Sequence, residues 1–598
     1  MDFVNEKVTV LYGSQTGNAQ DVAERIWRES KQYYFVGSVK AMNDYNILEL
    51  VNEKCVIFVC STTGQGEEPD NMKFFWKFLL RRNLRNNVLS NLRFAVLGLG
   101  DSSYIKFNFA AKRLNKRLLQ LGGQVLIPLG LGDDQHDLGY DATVDPWIES
   151  LWEELLFVYP LPDNVKPLDK NTIIKPRWSV TSHIENFVNE KNNSSSLYDR
   201  MRTSGEFTVT VKDIIKTTNP SHFQDVRLIK LETNGEKYLT GDVIVIRPKN
   251  LPEQVKLFQA VLKDNGVNIP GNAIFRISET NPEMPVPAPL QFNVTFQQLC
   301  EEYFDLNSIP RRYTFDILAQ LTDSETEREK CIEFTTAEGQ DDLYNYCNRP
   351  RRNIVEVLHD FPHATKNIEK DTLFEILPPI KPREFSIASS YKAHENEVHI
   401  LLAVVKYKTK LVKQRLGLCS NYLANLKVGD KISATLKKGS FRFPNDKDAY
   451  IIMVGPGTGM APFRNYICER EKEGTADASK LIFFFGCRGH NMDFHCKEDF
   501  IRLENENKLN LICAFSRDQD YKIYVQHRIM ENGDLLWPML ESKNAYIFIA
   551  GNSKNMPKQV REAFIDICKI NGGMTLEDAT RFIEDMEKNG HYQTETWS

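Results

Sequence analysis

Short apolar runs open the chain and alternate with helix-length stretches. Val8–Tyr12, Cys55–Cys60, Phe94–Leu99 and Gln124–Leu129 are β-rich and almost continuously apolar, the pattern of strands buried on both faces of a parallel sheet. Helical patterns such as Asp21–Ser30 and Lys106–Leu121 lie between them, which predicts a doubly wound α/β domain over residues 1–160. From 161 to 204, prolines give way to an Asn/Ser-rich run ending at Ser196, too polar to build a core and therefore expected to be a linker or hinge. Gly205–Pro248 and Arg383–Phe443 alternate apolar and polar positions, as antiparallel strands do, while roughly 250–375 reads as mostly helical. The expectation for 205–447 is thus an antiparallel barrel with a helical insertion. From 448 to 598 the first pattern returns, at Tyr450–Val454, Leu481–Phe485, Leu511–Phe515 and Tyr546–Ala550, and predicts a second parallel sheet.

Composition adds limits. The chain has 598 residues, 41% hydrophobic and 26% charged, as in ordinary multidomain globular proteins. A net charge of -5 gives no general case for nucleic-acid or membrane-surface binding. Leu131–Pro160 holds eight acids and no Lys or Arg, either a solvated helix face or a docking face for a basic partner. The eleven cysteines include no Cys-x-x-Cys pair, which favours reduced thiols and no metal centre. Strand-like sequence begins almost at Met1, leaving no room for a signal peptide or anchor, so a cytosolic protein is expected.

Three loops follow the first, second and third strands. In Ser14-Gln15-Thr16-Gly17-Asn18-Ala19 a glycine-containing turn enters a helix, where backbone N–H groups attract an anion and Ser14, Thr16 and Asn18 add donors. A plain turn shares this composition, and without a Lys it is no Walker loop. Ser61-Thr62-Thr63-Gly64-Gln65-Gly66-Glu67 and Gly98-Leu99-Gly100-Asp101-Ser102-Ser103-Tyr104 complete the set. Loops at neighbouring strand ends can enclose one flat ligand, glycines letting backbone approach its edge and Tyr104 stacking on its face.

Further on, Arg383-Glu384-Phe385-Ser386 offers an arginine fork suited to a pyrophosphate. Gly455-Pro-Gly-Thr458-Gly has the glycine spacing of a dinucleotide turn. Ser516-Arg517 and Lys522-Ile-Tyr524-Val-Gln526 supply a hydroxyl, two cations, a ring and an amide suited to a 2′-phosphate, unless the cations form surface salt bridges instead. The chain stops at Glu595-Thr-Trp597-Ser598, ordinarily a frayed or packed tail.

The three loops resemble those of flavodoxin-like FMN domains, with Gly130-Leu-Gly-Asp133 matching the loop that completes that site. Arg383–Ser386 and Gly417-Leu418-Cys419-Ser420 are similar to the FAD signatures of the ferredoxin-NADP reductase-like barrel. Across nearly its whole length the chain resembles the diflavin reductases, relatives of cytochrome P450 reductase. It is most similar to the branch serving cytosolic iron–sulfur protein assembly. The resemblance implies FMN, FAD and NADPH as cofactors and a flavodoxin-like, barrel and nucleotide-binding domain order. Arg383 and Glu384 then belong to the FAD site. Phe385 covers the isoalloxazine, Ser386 lies near its N5, Gly417–Ser420 complete the pyrophosphate site, and Arg351, with Arg352 as the neighbouring alternative, is a further contact. Trp597 covers the FAD ring and moves for nicotinamide, and Glu595 is the acid of the hydride-transfer network. The implied acceptor is an iron–sulfur protein, anamorsin.

Departures are Phe385 for the usual Tyr, Ala550 for a common Cys, and Gln559 for Asp. They keep alternatives open: a soluble reductase of methionine synthase, a P450 or a cytochrome, or a scaffold whose flavins are structural.

Overall fold

The computed structural model describes residues 6–63, 66–104, 106–169, 176–183, 196–197, 205–280, 284–336 and 338–597. The chain forms two units: Met1–Val188 with Glu253–Cys300 and Phe304–Pro378, and Asn189–Pro252 with Glu301–Tyr303 and Pro379–Ser598.

In the first unit β1 (Thr9–Gly13), β2 (Val39–Ala41), β3 (Cys55–Ser61), β4 (Arg93–Gly100), β5 (Gln124–Val125) and β6 (Gly130–Asp133) form a parallel sheet. Its order is β2-β1-β3-β4-β5, with β6 also on β4, the doubly wound flavodoxin-like order. The apolar runs fit because both faces are covered. Along β3, Cys55, Ile57 and Val59 pack against the Asn18–Ser30 and Asp141–Val158 helices, while Val56, Phe58 and Cys60 pack against Lys73–Leu79 and Phe109–Gln120. The expected strand Gln124–Leu129 is corrected. Pairing to β4 occurs at Gln124–Val125 and again at Gly130–Asp133, and the gap holds Pro128, which has no N–H to give a ladder. Gly130–Asp133, expected as a loop, is therefore a strand that ends on Asp133.

The same unit contains the expected helices, among them Arg312–Leu321, Glu325–Glu333, Ile354–Asp360 and Lys370–Ile376. It also holds a small antiparallel sheet in which Ile274–Glu279 pairs with Val294–Thr295 and Trp178–His183. Trp178–His183 lies inside the stretch expected to be linker. Residues 170–175, 184–195 and 198–204 of that stretch lie outside the described residues.

In the second unit β7 (Glu206–Lys216), β8 (Asp225–Glu232), β9 (Val243–Ile246), β10 (Arg383–Ser386), β11 (Glu397–Val404) and β12 (Lys431–Lys437) run antiparallel in the order β10-β9-β12-β7-β8-β11. A bridge between Ile387 and Ile400 joins the two ends into a barrel. Val209, Ile229, Ile244, Ile387, Ile400 and Leu402 are among its inward-facing residues. Next come β13 (Tyr450–Val454), β14 (Leu481–Cys487), β15 (Asn510–Phe515), β16 (Ala545–Asn552) and β17 (Tyr592–Trp597), a parallel sheet ordered β15-β14-β13-β16-β17. Alternate residues of β13 enter opposite cores, Ile451 and Met453 on one face, Ile452 and Val454 on the other. The edge strand β17 is an element the apolar pattern does not predict. All eleven cysteines are free.

Candidate functional sites

In the first unit β1, β3 and β4 end side by side, as the Ser61 hydroxyl on the Gly13 carbonyl (3.4 Å) and the Thr62 N–H on the Leu99 carbonyl (3.1 Å) record. Gly17, with φ 103°, turns the chain into the Asn18–Ser30 helix, and its N–H donates to Ser14 Oγ at 2.9 Å. Ser14 N–H donates to Asn71 Oδ1 at 2.8 Å, and Gln15 exchanges two hydrogen bonds with Asp70. The exposed loop around Thr16 thus sits where a helix start leaves N–H groups without intrahelical partners. Asn18 Oδ1 accepts from Arg311 at 3.1 Å, and Arg311 also pairs with Asp21 at 3.0 Å. Ala19 is buried against the sheet.

Thr63 and Glu67 exchange backbone hydrogen bonds of 3.0 and 2.8 Å around a turn containing Gly66, whose φ is 96°. Gly64 lies outside the described residues. Thr62 Oγ1 accepts from Ala110 N–H at 3.2 Å and so bonds the first turn of the Phe109–Gln120 helix. Tyr104, 37% exposed, stands in the loop that follows Leu99 and Gly100 at the end of β4. Asp133 accepts from the Ser102 and Gln135 N–H groups at 2.9 and 3.0 Å. Although desolvation raises its pKa, hydrogen bonds from Ser102 and Gln135 hold its carboxyl below the ordinary range.

Sequence reasoning missed Asn108. It is fully buried with φ 53°, donates to the Gly132 carbonyl at 2.9 Å, and leaves Oδ1 without a hydrogen-bond partner among the described residues. A Cβ on Gly98 or Gly100 would lie 2.8 Å from that oxygen. In sequence it falls inside the expected helix Lys106–Leu121, which in the structure begins only at Phe109, so nothing marked it as a loop residue able to take left-handed backbone.

The acidic segment divides into two parts. Asp145 pairs with Arg25 at 2.7 Å and with Arg312, and half-buried Asp141 faces the same arginines, although desolvation dominates and raises its pKa. Asp137 and Glu149 are exposed. Arg351 in this unit is exposed with φ 55°, whereas Arg352 is committed to Asp360 at 2.6 Å and lies over the Tyr346 ring.

In the second unit β10 carries Arg383–Ser386 against β9. Arg383 is exposed, with its guanidinium on the Lys381 carbonyl, and Glu384 accepts from Lys437 at 2.7 Å. Phe385 is half-buried. The Ser386 hydroxyl donates to Glu595 Oε1 at 2.8 Å, and the Ser440 hydroxyl donates to Oε2 at 2.6 Å. Ser440 was invisible in sequence because no motif surrounds it. Register pairs Glu595 with Ala550, Thr596 with Gly551, and Trp597, 38% exposed, with Asn552. A Cβ on Gly459 would lie 2.1 Å from the Ala550 carbonyl oxygen, so the glycine turn after β13 is pressed onto the strand beside Glu595. Barrel, glycine turn and last strand therefore converge on Ser386, Glu595 and Ala550.

Gly417 opens the Leu418–Ala424 helix, and a Cβ there would meet Ser420 Oγ and Val405 Cβ, both at 2.8 Å. Ser420 Oγ accepts from Val405 N–H at 3.1 Å. Leu418 and Cys419 are buried, and burial pushes the Cys419 thiol up to about 12, which leaves it a packing group. What this segment can offer a ligand is backbone.

Thr458 follows Gly457 in the turn after β13. Ser516 and Arg517 follow β15 directly, Ser516 buried and Arg517 exposed. Neither Arg517 nor Lys522 forms an ion pair among the described residues. Tyr524 leaves 40% of its surface exposed, and the Gln526 amide donates to Gln559 at 3.1 Å. The unusual Gln559 is thus coupled to a residue of the same candidate site.

Three family models match in chain order: Flavodoxin over residues 10–147, FAD binding domain over 200–422, and Oxidoreductase NAD-binding domain over 453–562. The chain is 45% identical to NADPH-dependent diflavin oxidoreductase 1 of Xenopus laevis, covering 99% of this chain and 100% of the relative. It is 42% identical to the protein of that name in Mus musculus and 37% identical to that in Arabidopsis thaliana, each with 99% of both chains covered.

Proposed function

Since the chain belongs to the NADPH-dependent diflavin oxidoreductase family, we propose that it passes electrons from NADPH through FAD and FMN to an iron–sulfur protein, anamorsin, in the cytoplasm. The observation carrying the reading is the convergence of Ser386, Glu595 and Ala550 at the end of a glycine turn. When bound, the three cofactors supply a two-electron hydride donation and its division into single electrons. The chain's own residues bind and orient them.

In this reading residues 1–160 carry FMN, 161–204 form a linker around Trp178–His183, 205–447 carry FAD with an insertion at about 250–375, and 448–598 carry NADPH. Ser14 to Ala19 cradle the FMN phosphate. Ser61 to Gly66, Leu99, Gly100, Tyr104 and Asp133 frame its ring, and the unpartnered Asn108 Oδ1 fits a ring donor. Arg383 and Gly417–Ser420 serve the FAD phosphates, and Phe385 and Trp597 face its ring. Thr458, Ser516, Arg517, Lys522, Tyr524 and Gln526 hold NADPH. Ser386 and Glu595 orient the reacting edge.

No helix of the described residues is long and apolar enough to cross a membrane. The decisive experiment uses the purified protein. Yellow colour from both FAD and FMN, bleaching on anaerobic addition of NADPH, and NADPH-driven reduction of anamorsin are expected. A protein that fails to bleach is a scaffold, and one that bleaches but reduces another acceptor better refutes the anamorsin assignment.

The acceptor is taken to dock on the exposed acids. Asp137→Lys with Glu149→Lys should slow acceptor reduction about tenfold at low salt, with ferricyanide reduction unchanged, because charge steering acts on protein encounter. Acceptor reduction as fast in the variant as in the parent would place docking elsewhere. Asp141 and Asp145 are left intact because of the nearby Arg25 and Arg312.

Ala550 is fully buried beside Glu595, where a thiol adds positioning but no required chemistry. Ala550→Cys should speed FAD reduction in stopped flow by about threefold to tenfold, within the range a better-oriented site provides. No acceleration would show that alanine costs the site nothing.

A further inference from the structure

Among the described residues the edge strand β17 pairs with β16 along only one of its sides. Side chains alternate along a strand, so Gln593, Glu595 and Trp597 share a face. Two of the three are gripped by the segment that follows β12. Gln593 accepts from Arg442 N–H at 2.8 Å and returns a bond to the Arg442 carbonyl at 3.0 Å, while Ser440 holds Glu595 at 2.6 Å. Ser440 and Arg442 are themselves alternate residues, and Phe441 between them is buried, stacked on Phe463 at 5.8 Å. The segment is anchored at its start as well, since a Cβ on Gly439 would lie 1.9 Å from the Gly241 carbonyl. An anchored pair of polar residues thus meets a matching pair on the last strand, immediately before Trp597.

We infer that Ser440 and Arg442 form a clip on Glu595 and Gln593 that fixes the last strand and sets how readily Trp597 gives way to nicotinamide, which makes Ser440 a positioning residue for hydride transfer. The inference rests on the reading of Trp597 as the cover of the FAD ring. Loosening the clip frees the strand end, so a ligand that must displace Trp597 binds more tightly. The same loss leaves Glu595 with one hydroxyl donor in place of two, so the turnover that follows binding slows.

The test uses the full-length holoenzyme in four variants: Ser440→Ala, Ser440→Ala with Gln593→Leu, Ser440→Thr, and Trp597→Ala. NADP+ and 2′,5′-ADP, which lacks nicotinamide, are titrated by calorimetry, hydrogen exchange is followed in the peptide spanning 592–597, and kcat and KM for NADPH are measured with ferricyanide. In the double variant NADP+ should bind about fivefold to tenfold more tightly, the factor by which one or two hydrogen bonds move an equilibrium. Binding of 2′,5′-ADP should not change, exchange at 595–597 should quicken by about tenfold, and KM and kcat should both fall. Ser440→Ala should give part of each effect, and Ser440→Thr should restore the parent values. If Trp597→Ala tightens NADP+ while the clip variants alter neither NADP+ binding nor exchange, the clip is refuted and the ring cover stands. If Trp597→Ala leaves NADP+ binding unchanged, the ring-cover reading fails and takes the clip with it.

Discussion

Replacing Arg517 and Lys522 together by alanine should lower the NADPH-to-NADH ratio of kcat/KM by about two to four orders of magnitude. Each charge-assisted hydrogen bond to a phosphate contributes roughly 1.5–3 kcal/mol, and about 1.4 kcal/mol is a factor of ten. The 2′-phosphate is the only group that distinguishes the two nucleotides, so the loss falls on NADPH alone. Both side chains are exposed and neither forms an ion pair among the described residues, so their removal should leave the melting temperature unchanged. Arg517→Ala should have the larger single effect, because a guanidinium can place two donors on one phosphate where Lys522 places a point charge. Steady-state kinetics with both nucleotides decide the matter. An unchanged ratio in the double variant would remove these cations from the specificity site.

The second large effect is expected from one methyl group. In Gly459→Ala the new Cβ would stand 2.1 Å from the Ala550 carbonyl oxygen and 2.8 Å from its carbon. Both are backbone atoms of a central strand and cannot swing aside, so the glycine turn must separate from β16. NADPH-dependent reduction of FAD should fall by about a hundredfold or more, as misplacement of about 1 Å does to an oriented reaction. FMN content should be unaffected. Gly457→Ala is the control: nothing among the described residues lies within 4 Å of the new Cβ, but a φ of 58° costs a non-glycine residue about 1–2 kcal/mol. It should weaken the protein modestly while retaining activity, and equal rates in both glycine variants would refute the close-approach argument.

The two parallel sheets were legible because burial on both faces writes nearly continuous apolar runs, as at Cys55–Cys60 and Leu481–Phe485. The barrel was legible from alternation. What stayed hidden has physical reasons. β17 reads Gln593-Thr-Glu-Thr596, polar on both faces, because its ties are backbone pairing to β16 and side-chain bonds to Ser440 and Arg442. Trp178–His183 was masked by the prolines around it, and β6 by Pro128 splitting its run. Loop glycines announced the candidate sites, but hydroxyls such as Thr62 and Ser420 turn out to bond their own backbone, a distinction that composition does not carry. Ser440 and Asn108 lie outside any recurring string, and only the fold brings them to Glu595 and to Gly98 and Gly100.

The pairing of β9 with β10 has a consequence for how the barrel is assembled. These strands are hydrogen-bonded neighbours, yet the entire helical insertion is threaded between them in sequence. Closing a long loop costs only about 0.6 kcal/mol for each doubling of its length, so the finished barrel bears little thermodynamic burden from the detour. The burden falls on time. Pairings between distant segments form slowly, and β9 must wait, with both edges unsatisfied, until the ribosome has delivered β10 and β12, while the flavodoxin-like sheet draws all its strands from residues already made.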